Sequence, residues 1–135
     1  MFRKLDETIS VAGQITPADI AEAAAQGFTF VINNRPDDEQ PGQPTAAEIE
    51  AAAKAVGLGY RAIPITHAGF SDNQVTAMRE ALEAAPGPIL AFCRSGTRST
   101  LVWALARARM GDDADSLQAK AQAAGYDLTP IRALL

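Results

Sequence analysis

The stretch Phe92-Cys-Arg-Ser-Gly-Thr-Arg-Ser99 gathers a thiol, two guanidinium groups and three hydroxyls around one glycine. Cys93 follows the apolar run Ile89-Leu-Ala-Phe92, which reads as a short strand, and a helix is predicted to begin within six residues of it. A thiol at a helix N-terminus is acidified by the helix dipole and by nearby backbone N–H groups. Arg94 and Arg98 add two fixed positive charges. Gly96 has no side chain, so the backbone can curl until its N–H groups converge above the sulfur and cradle an anion. Ser95 and Thr97 complete the ring, Thr97 through its backbone. Arg98 can clamp the anion with two hydrogen bonds. Ser99 can donate its hydroxyl to the thiolate and make it a better leaving group. This is the apparatus of an activated nucleophile acting on a small anionic substrate. The plainer alternative is a buried structural cysteine before a tight turn, but such a turn has no need for two arginines around a glycine.

Other polar residues belong to the same end of the chain's predicted sheet. His67 follows the run Tyr60 to Ile65 and suits proton donation near neutral pH, its type titrating near pH 6.5. Its alternative is a loop histidine bonded to solvent or backbone. Asp72 is a second candidate acid, although an acid in a first helical turn also complements the dipole. In Asn33-Asn34-Arg35-Pro36-Asp37, Arg35 or Asn34 either meets the substrate or buttresses the Cys93 loop, and these residue types also favour a plain turn. Trp103 reads as core.

Those groups must be held by a small chain. Its 135 residues and 14.2 kDa suit a single domain spanning residues 1–135. A hydrophobic fraction of 47% and a charged fraction of 21% exclude a disordered polypeptide. Twenty-eight residues are Ala, so much of the apolar content lies in helices of small side chains. The net charge of -4 argues against a nucleic-acid partner, which requires a basic face. No apolar run approaches the roughly 20 residues that span a bilayer. The opening Met1-Phe-Arg-Lys-Leu5 carries charge without an apolar stretch behind it, which argues against a secretory signal and for a cytoplasmic location. One Cys and one His exclude an intrachain disulfide and a zinc site of several Cys and His ligands. No metal or cofactor is expected.

Strand and helix signals alternate throughout. A short strand is predicted near Thr8 to Val11. Thr16-Pro17-Ala18-Asp19 then opens a helix that Gly27 ends, and Phe28 to Asn33 is a buried strand. After the polar stretch Asn34 to Pro44, a capping box at Thr45-Ala-Ala-Glu48 opens a helix closed by Gly57. Tyr60 to Ile65 is a strand, and a second box at Ser71-Asp-Asn-Gln74 opens a helix to about Ala85. Pro86-Gly-Pro88 breaks it before the strand Ile89 to Phe92. Leu101 to Met110 is an apolar, buried helix. Two further helices begin near Asp113 and at a Thr129-Pro130 cap. This order predicts an α/β fold of three layers around a largely parallel sheet of about four to five strands. Ligands of such sheets bind off the carboxyl ends of the strands, where Asn34 to Pro44, Thr66 to Phe70 and Cys93 to Ser99 gather.

The Cys93 loop resembles the active-site loops of cysteine-dependent phosphatases and of rhodanese-type sulfurtransferases. Val31-Ile-Asn-Asn-Arg-Pro-Asp-Asp-Glu39, Pro41-Gly-Gln-Pro44, Tyr60-Arg-Ala-Ile-Pro-Ile65 and Pro88-Ile-Leu-Ala-Phe-Cys93 together resemble a bacterial family, the beta-lactamase hydrolase-like protein, phosphatase-like domain. That resemblance runs from about Leu5 to Ala108 and implies a dual-specificity-phosphatase-like fold. Members occur alone or fused to metallo-β-lactamase-like domains. Two departures matter. Protein tyrosine and dual-specificity phosphatases use Cys-x5-Arg, whereas Cys93 to Arg98 is Cys-x4-Arg, a tighter ring resembling that of rhodaneses. Such phosphatases also place an Asp shortly after the strand matching Ile63-Pro-Ile65, where this chain has Thr66 and His67. Phosphate-ester hydrolysis through Cys93 is therefore the leading expectation. Sulfur transfer through a Cys93 persulfide from a sulfane-sulfur donor is the alternative, and a non-enzymatic anion-binding pseudo-phosphatase is the third class.

Overall fold

The computed structural model describes residues 2–135. Its strands are β1 (Arg3–Asp6), β2 (Ile9–Ala12), β3 (Phe30–Asn33), β4 (Gly59–Ala62) and β5 (Ile89–Phe92). Its helices are α1 (Pro17–Ala25), α2 (Ala46–Ala55), α3 (Asp72–Ala84), α4 (Thr97–Arg109) and α5 (Ala114–Ala123), and a 3₁₀ segment covers Thr129–Leu134. The five strands form one sheet in the order β1-β2-β5-β3-β4. Only the β1–β2 pair is antiparallel. The expected three-layer α/β fold with a largely parallel sheet is the fold observed.

Side chains alternate across the sheet with period two, and so fill two cores. Ile9, Val11, Ile32, Ile89 and Ala91 pack with residues of α3, α4 and α5 on one face. Ala12, Val31, Leu90 and Phe92 pack with Ile20 of α1 and Ile49 of α2 on the other. β5 lies between β2 and β3 and is buried along its whole length, which explains its unbroken apolar sequence. In α4, every residue from Ser99 to Ala106 is buried.

Capping fixes where several elements start. Thr16 accepts from Asp19 N, and the Asp19 side chain accepts from Thr16 N, completing a box at α1. Ser71 and Gln74 do the same at α3. At α2 only half of the expected box forms. Thr45 accepts from Glu48 N, while Asp37 from the preceding loop accepts from Ala46 N at 2.8 Å. Asp113 caps α5 as expected.

Four elements differ from expectation. The single strand predicted near Thr8 is a hairpin, whose turn is tied by Asp6 Oδ1 accepting from Thr8 N, Thr8 Oγ1 and Ile9 N. β1 shows no apolar alternation because only Leu5 of its residues is buried. The strand predicted to reach Ile65 ends at Ala62, because the parallel register with β3 breaks beyond it, Ile65 N bonding to Asn34 and not to Arg35. Even so, Ile63 N and Ile65 N still donate to the carbonyls of Asn33 and Asn34. Helix α4 begins at Thr97, within six residues of Cys93 as expected, but its body extends four residues ahead of the apolar run Leu101 to Met110 and ends at Arg109. Thr129 does not cap the last segment. Its N–H and hydroxyl both donate to Asp127, which forms the turn instead. No helix among the described residues is long and apolar enough to cross a membrane.

Candidate active site

Cys93 leaves β5 at the carboxyl end of the sheet, fully buried, with its N–H donated to the Ala12 carbonyl. The chain then turns over its sulfur. Gly96 N donates to Cys93 Sγ at 3.1 Å. Gly96 has φ +89°, and a Cβ built there would stand 2.2 Å from the Tyr126 hydroxyl. Both the left-handed backbone and the lack of space require glycine. Ser95 Oγ accepts from Thr97 N and donates to Thr97 Oγ1, which steadies the first turn of α4. The N–H groups of Arg94, Ser95, Arg98 and Ser99 have no acceptor among the described residues. They are the unspent donors of a helix N-terminus and its preceding turn, a ready seat for an anion.

Arg98 is held by a residue that was not among the sequence candidates. Glu39, from the loop after β3, accepts from Arg98 Nη1 through Oε2 and from Nη2 through Oε1, both at 2.8 Å. Nη1 also donates to the Ile65 carbonyl. A guanidinium has five N–H donors, so this arrangement leaves Nε–H and one Nη2 hydrogen free on a single edge. Arg98 is pushed above the ordinary arginine value chiefly by the Glu39 hydrogen bond, with burial opposing and the charge of Cys93 adding to the rise. Glu39 is held down to about 2, chiefly by its hydrogen bond to Arg98, with burial opposing and the hydrogen bond to Arg35 and the charges of both arginines adding to the fall. A carboxyl so firmly ionised is an orienting group and not a proton donor.

Arg35 stands behind Glu39. It donates through Nε to Glu39 Oε1 at 3.0 Å, through Nη1 to Gln14 Oε1 at 3.0 Å and through Nη2 to Gln40 Oε1. With its side chain only 3% exposed, it buttresses Glu39 and is not positioned to meet a substrate from solution. Arg35 thus touches Arg98 only at one remove, through Glu39. Ser99 also departs from expectation. Its single O–H is donated to Asn34 Oδ1 at 2.8 Å and not to the Cys93 sulfur. Asn34 in turn donates to the Ile63 carbonyl, and all of these side-chain contacts are buried.

Arg94 is exposed at the mouth of the loop and forms no ion pair among the described residues. The turn carrying His67 is anchored to the site through Ile65, but the imidazole is exposed and makes no hydrogen bond among the described residues. Asp72 lies elsewhere. It pairs with Arg109 at 2.6 Å on the rim of a cavity of about 330 Å³ between α3, α4 and the last residues, lined by Phe70, Val75, Leu105 and Leu134. Neither Cys93 nor Arg98 lines that cavity. No group of three or more His, Cys, Asp or Glu residues among the described residues could hold a metal ion. The structure thus gathers Cys93, Arg94, Ser95, Gly96, Thr97, Arg98 and Ser99 in one turn, with His67 two residues beyond the Ile65 carbonyl that meets Arg98 and Asp72 paired with Arg109.

Comparison with known proteins shows the family and the fold. A beta-lactamase hydrolase-like protein of Agrobacterium fabrum is 36% identical over 108 residues, which cover 80% of this chain and 25% of that protein. This chain therefore spans about a quarter of that relative's length. A crystal structure from Neisseria meningitidis Z2491, described as that of a candidate phosphatase, is 36% identical, with a TM-score of 0.85 over 98% of this chain and 94% of that one. TpbA of P. aeruginosa, solved in complex with pTyr, shares the fold at 18% identity and a TM-score of 0.63, over 96% and 86% of the two chains. Residues 1–110 match the family model itself. The chain belongs to the family described as beta-lactamase hydrolase-like protein, phosphatase-like domain.

Proposed function

We propose that the chain is a cysteine-dependent phosphatase acting on a phosphate ester, with Cys93 as nucleophile. The observation that carries this reading is the turn from Cys93 to Arg98. Four backbone N–H groups without an acceptor and an uncommitted edge of Arg98 lie in the same turn as a sulfur that already accepts from Gly96. In the first step the Cys93 thiolate attacks phosphorus, forming the S–P bond as the ester P–O bond breaks. The N–H groups and Arg98 take up the charge on the non-bridging oxygens. The departing oxygen needs a proton, and His67 is the candidate donor because its turn is fastened to Arg98 through Ile65. An aryl leaving group makes the smallest demand on that donor. In the second step water attacks phosphorus, the S–P bond breaks, and inorganic phosphate leaves with the thiolate restored. With no second cysteine, the sulfur has no internal thiol partner.

The pTyr bound to TpbA supports an aryl phosphate as the probe. Wild-type protein is expected to turn over para-nitrophenyl phosphate, with vanadate inhibiting, and Cys93→Ser is expected to abolish turnover. Absence of wild-type turnover together with no protection of Cys93 by phosphate or vanadate would sink the proposal.

The shorter Cys-x4-Arg ring favours one second reading, sulfur transfer. Here Cys93 attacks the outer sulfur of thiosulfate, the S–S bond breaks, sulfite departs, and a Cys93 persulfide passes its sulfur to an external thiol. A mass gain of about one sulfur atom after incubation with thiosulfate is its signature. An unchanged mass rejects it.

A further inference from the structure

The cradle is closed on one side by a residue outside residues 1–110 that match the family. Tyr126 lies just after α5, and its hydroxyl donates to the Ser95 carbonyl at 3.0 Å. Its ring sits against Gly96, since a Cβ there would meet both Oη at 2.2 Å and Cζ at 3.0 Å. On its other side the Arg3 guanidinium lies over the ring, 5.6 Å from its centre, and Arg3 Nη1 donates to the Ala124 carbonyl at 3.1 Å. β1 and the end of α5 thus clamp one phenol against one peptide group.

That peptide group joins Ser95 to Gly96, and its two polar atoms face opposite ways. The carbonyl is turned outward to Tyr126, while the N–H is turned inward to Cys93 Sγ. A peptide next to glycine rotates easily, because glycine accepts both signs of φ. Rotation here would replace an inward N–H donor with a carbonyl, placing negative partial charge against the sulfur and the bound anion. Burial, the largest influence on the phenol, raises the Tyr126 titration above its ordinary value of 10.0, with Arg3 opposing and Cys93 adding, so the hydroxyl remains a donor across the working pH range.

We infer that Tyr126 is a positioning residue, whose hydrogen bond to the Ser95 carbonyl fixes the Ser95–Gly96 peptide so that its N–H serves Cys93. The inference rests on the reading of Cys93 as a nucleophile. It concerns the acidity and donor geometry of the loop, so it can be tested without turnover.

The test is Tyr126→Phe, which keeps the ring and removes the hydroxyl. The pH midpoint of Cys93 alkylation by iodoacetamide is expected to rise by about half a unit. That corresponds to a roughly threefold loss of reactive thiolate at pH values below the midpoint, the scale of one modest hydrogen bond. The other charged groups at this sulfur and this phenol are Arg98, Glu39 behind Arg98 and Arg3 over the ring, and the substitution removes none of them and keeps the ring beneath Arg3. Solvent exchange of the Gly96 amide, followed by NMR, is expected to quicken. The melting temperature separates this effect from general loosening, and Tyr126→Leu, which removes hydroxyl and ring, supplies a second variant with a larger midpoint shift. An unchanged midpoint and unchanged Gly96 exchange in Tyr126→Phe overturn the inference, whether or not the wild type hydrolyses a phosphate ester. Loss of turnover with both readouts unchanged also overturns it, because the hydroxyl would then act elsewhere.

Discussion

Glu39 divides the work of Arg98 between two edges of one planar group. The end of the guanidinium is committed to a carboxylate, and only the side edge is left to an incoming anion. Such a bidentate pair fixes the direction of the free donors as well as their charge. Glu39→Gln keeps the shape and removes the charge, so Arg98 is expected to wander and kcat/KM for an aryl phosphate to fall about tenfold, the scale of one charge-assisted contact. Glu39 also contributes to acid sensitivity. Its folded value of about 2 lies below the ordinary 4.5, so the pair stabilises the fold fully above 4.5 and that stabilisation is lost as pH falls towards 2. Thermal melts across that window are expected to show a shallower acid slope in Glu39→Gln than in the wild type. Cys93, Gly96 and Arg98 are legible in the sequence because their chemistry is local. Glu39 is not, because it reaches Arg98 across 59 positions from a run of acids that reads as a solvated turn. Tyr126 is hidden similarly, 31 positions from Ser95.

Among the elements, β3 and α4 are tied together by one amide. Asn34 follows β3, accepts from Ser99 of α4 and donates to the Ile63 carbonyl beyond β4, while its own N–H donates to the Phe92 carbonyl at the end of β5. Asn34→Ala would strand the Ser99 hydroxyl and the Ile63 carbonyl in the interior, at about 1–3 kcal/mol for each orphaned group. Urea denaturation is expected to show that loss as a lower midpoint with an unchanged slope. The same tie explains why the apolar run at Leu101 starts later than α4 itself. Thr97, Arg98, Ser99 and Thr100 are polar residues whose partners lie within the protein, as with Thr100 Oγ1 donating to the Gly96 carbonyl. A polar first turn of this kind looks like loop until its partners are known. The capping boxes at Thr16 and Ser71 were legible because every group they need lies within four residues. β1 was not, because its place is set by pairing with β2 and not by its own pattern.

The whole molecule sets a net charge of -4 against a local cluster of guanidinium groups. Arg35 and Arg98 are neutralised in part by Glu39, which leaves Arg94 as the outermost cation of the loop. This balance favours a compact anion over a polyanion, which would meet the acidic remainder of the surface. The central strand matters at this scale too. β5 is bonded on both sides and buried on both faces, and Cys93 at its end is 0% exposed. A slender reagent has to thread the ring of N–H groups, and a bulky one cannot enter while the ring stands. The single thiol therefore makes the chain its own gauge of opening. A polymer-tagged maleimide is expected to label native protein at a rate set by unfolding and to count unfolded molecules directly by gel shift, with no probe added to the sequence. Rapid labelling under native conditions would show that the sulfur is uncovered by motions far smaller than unfolding.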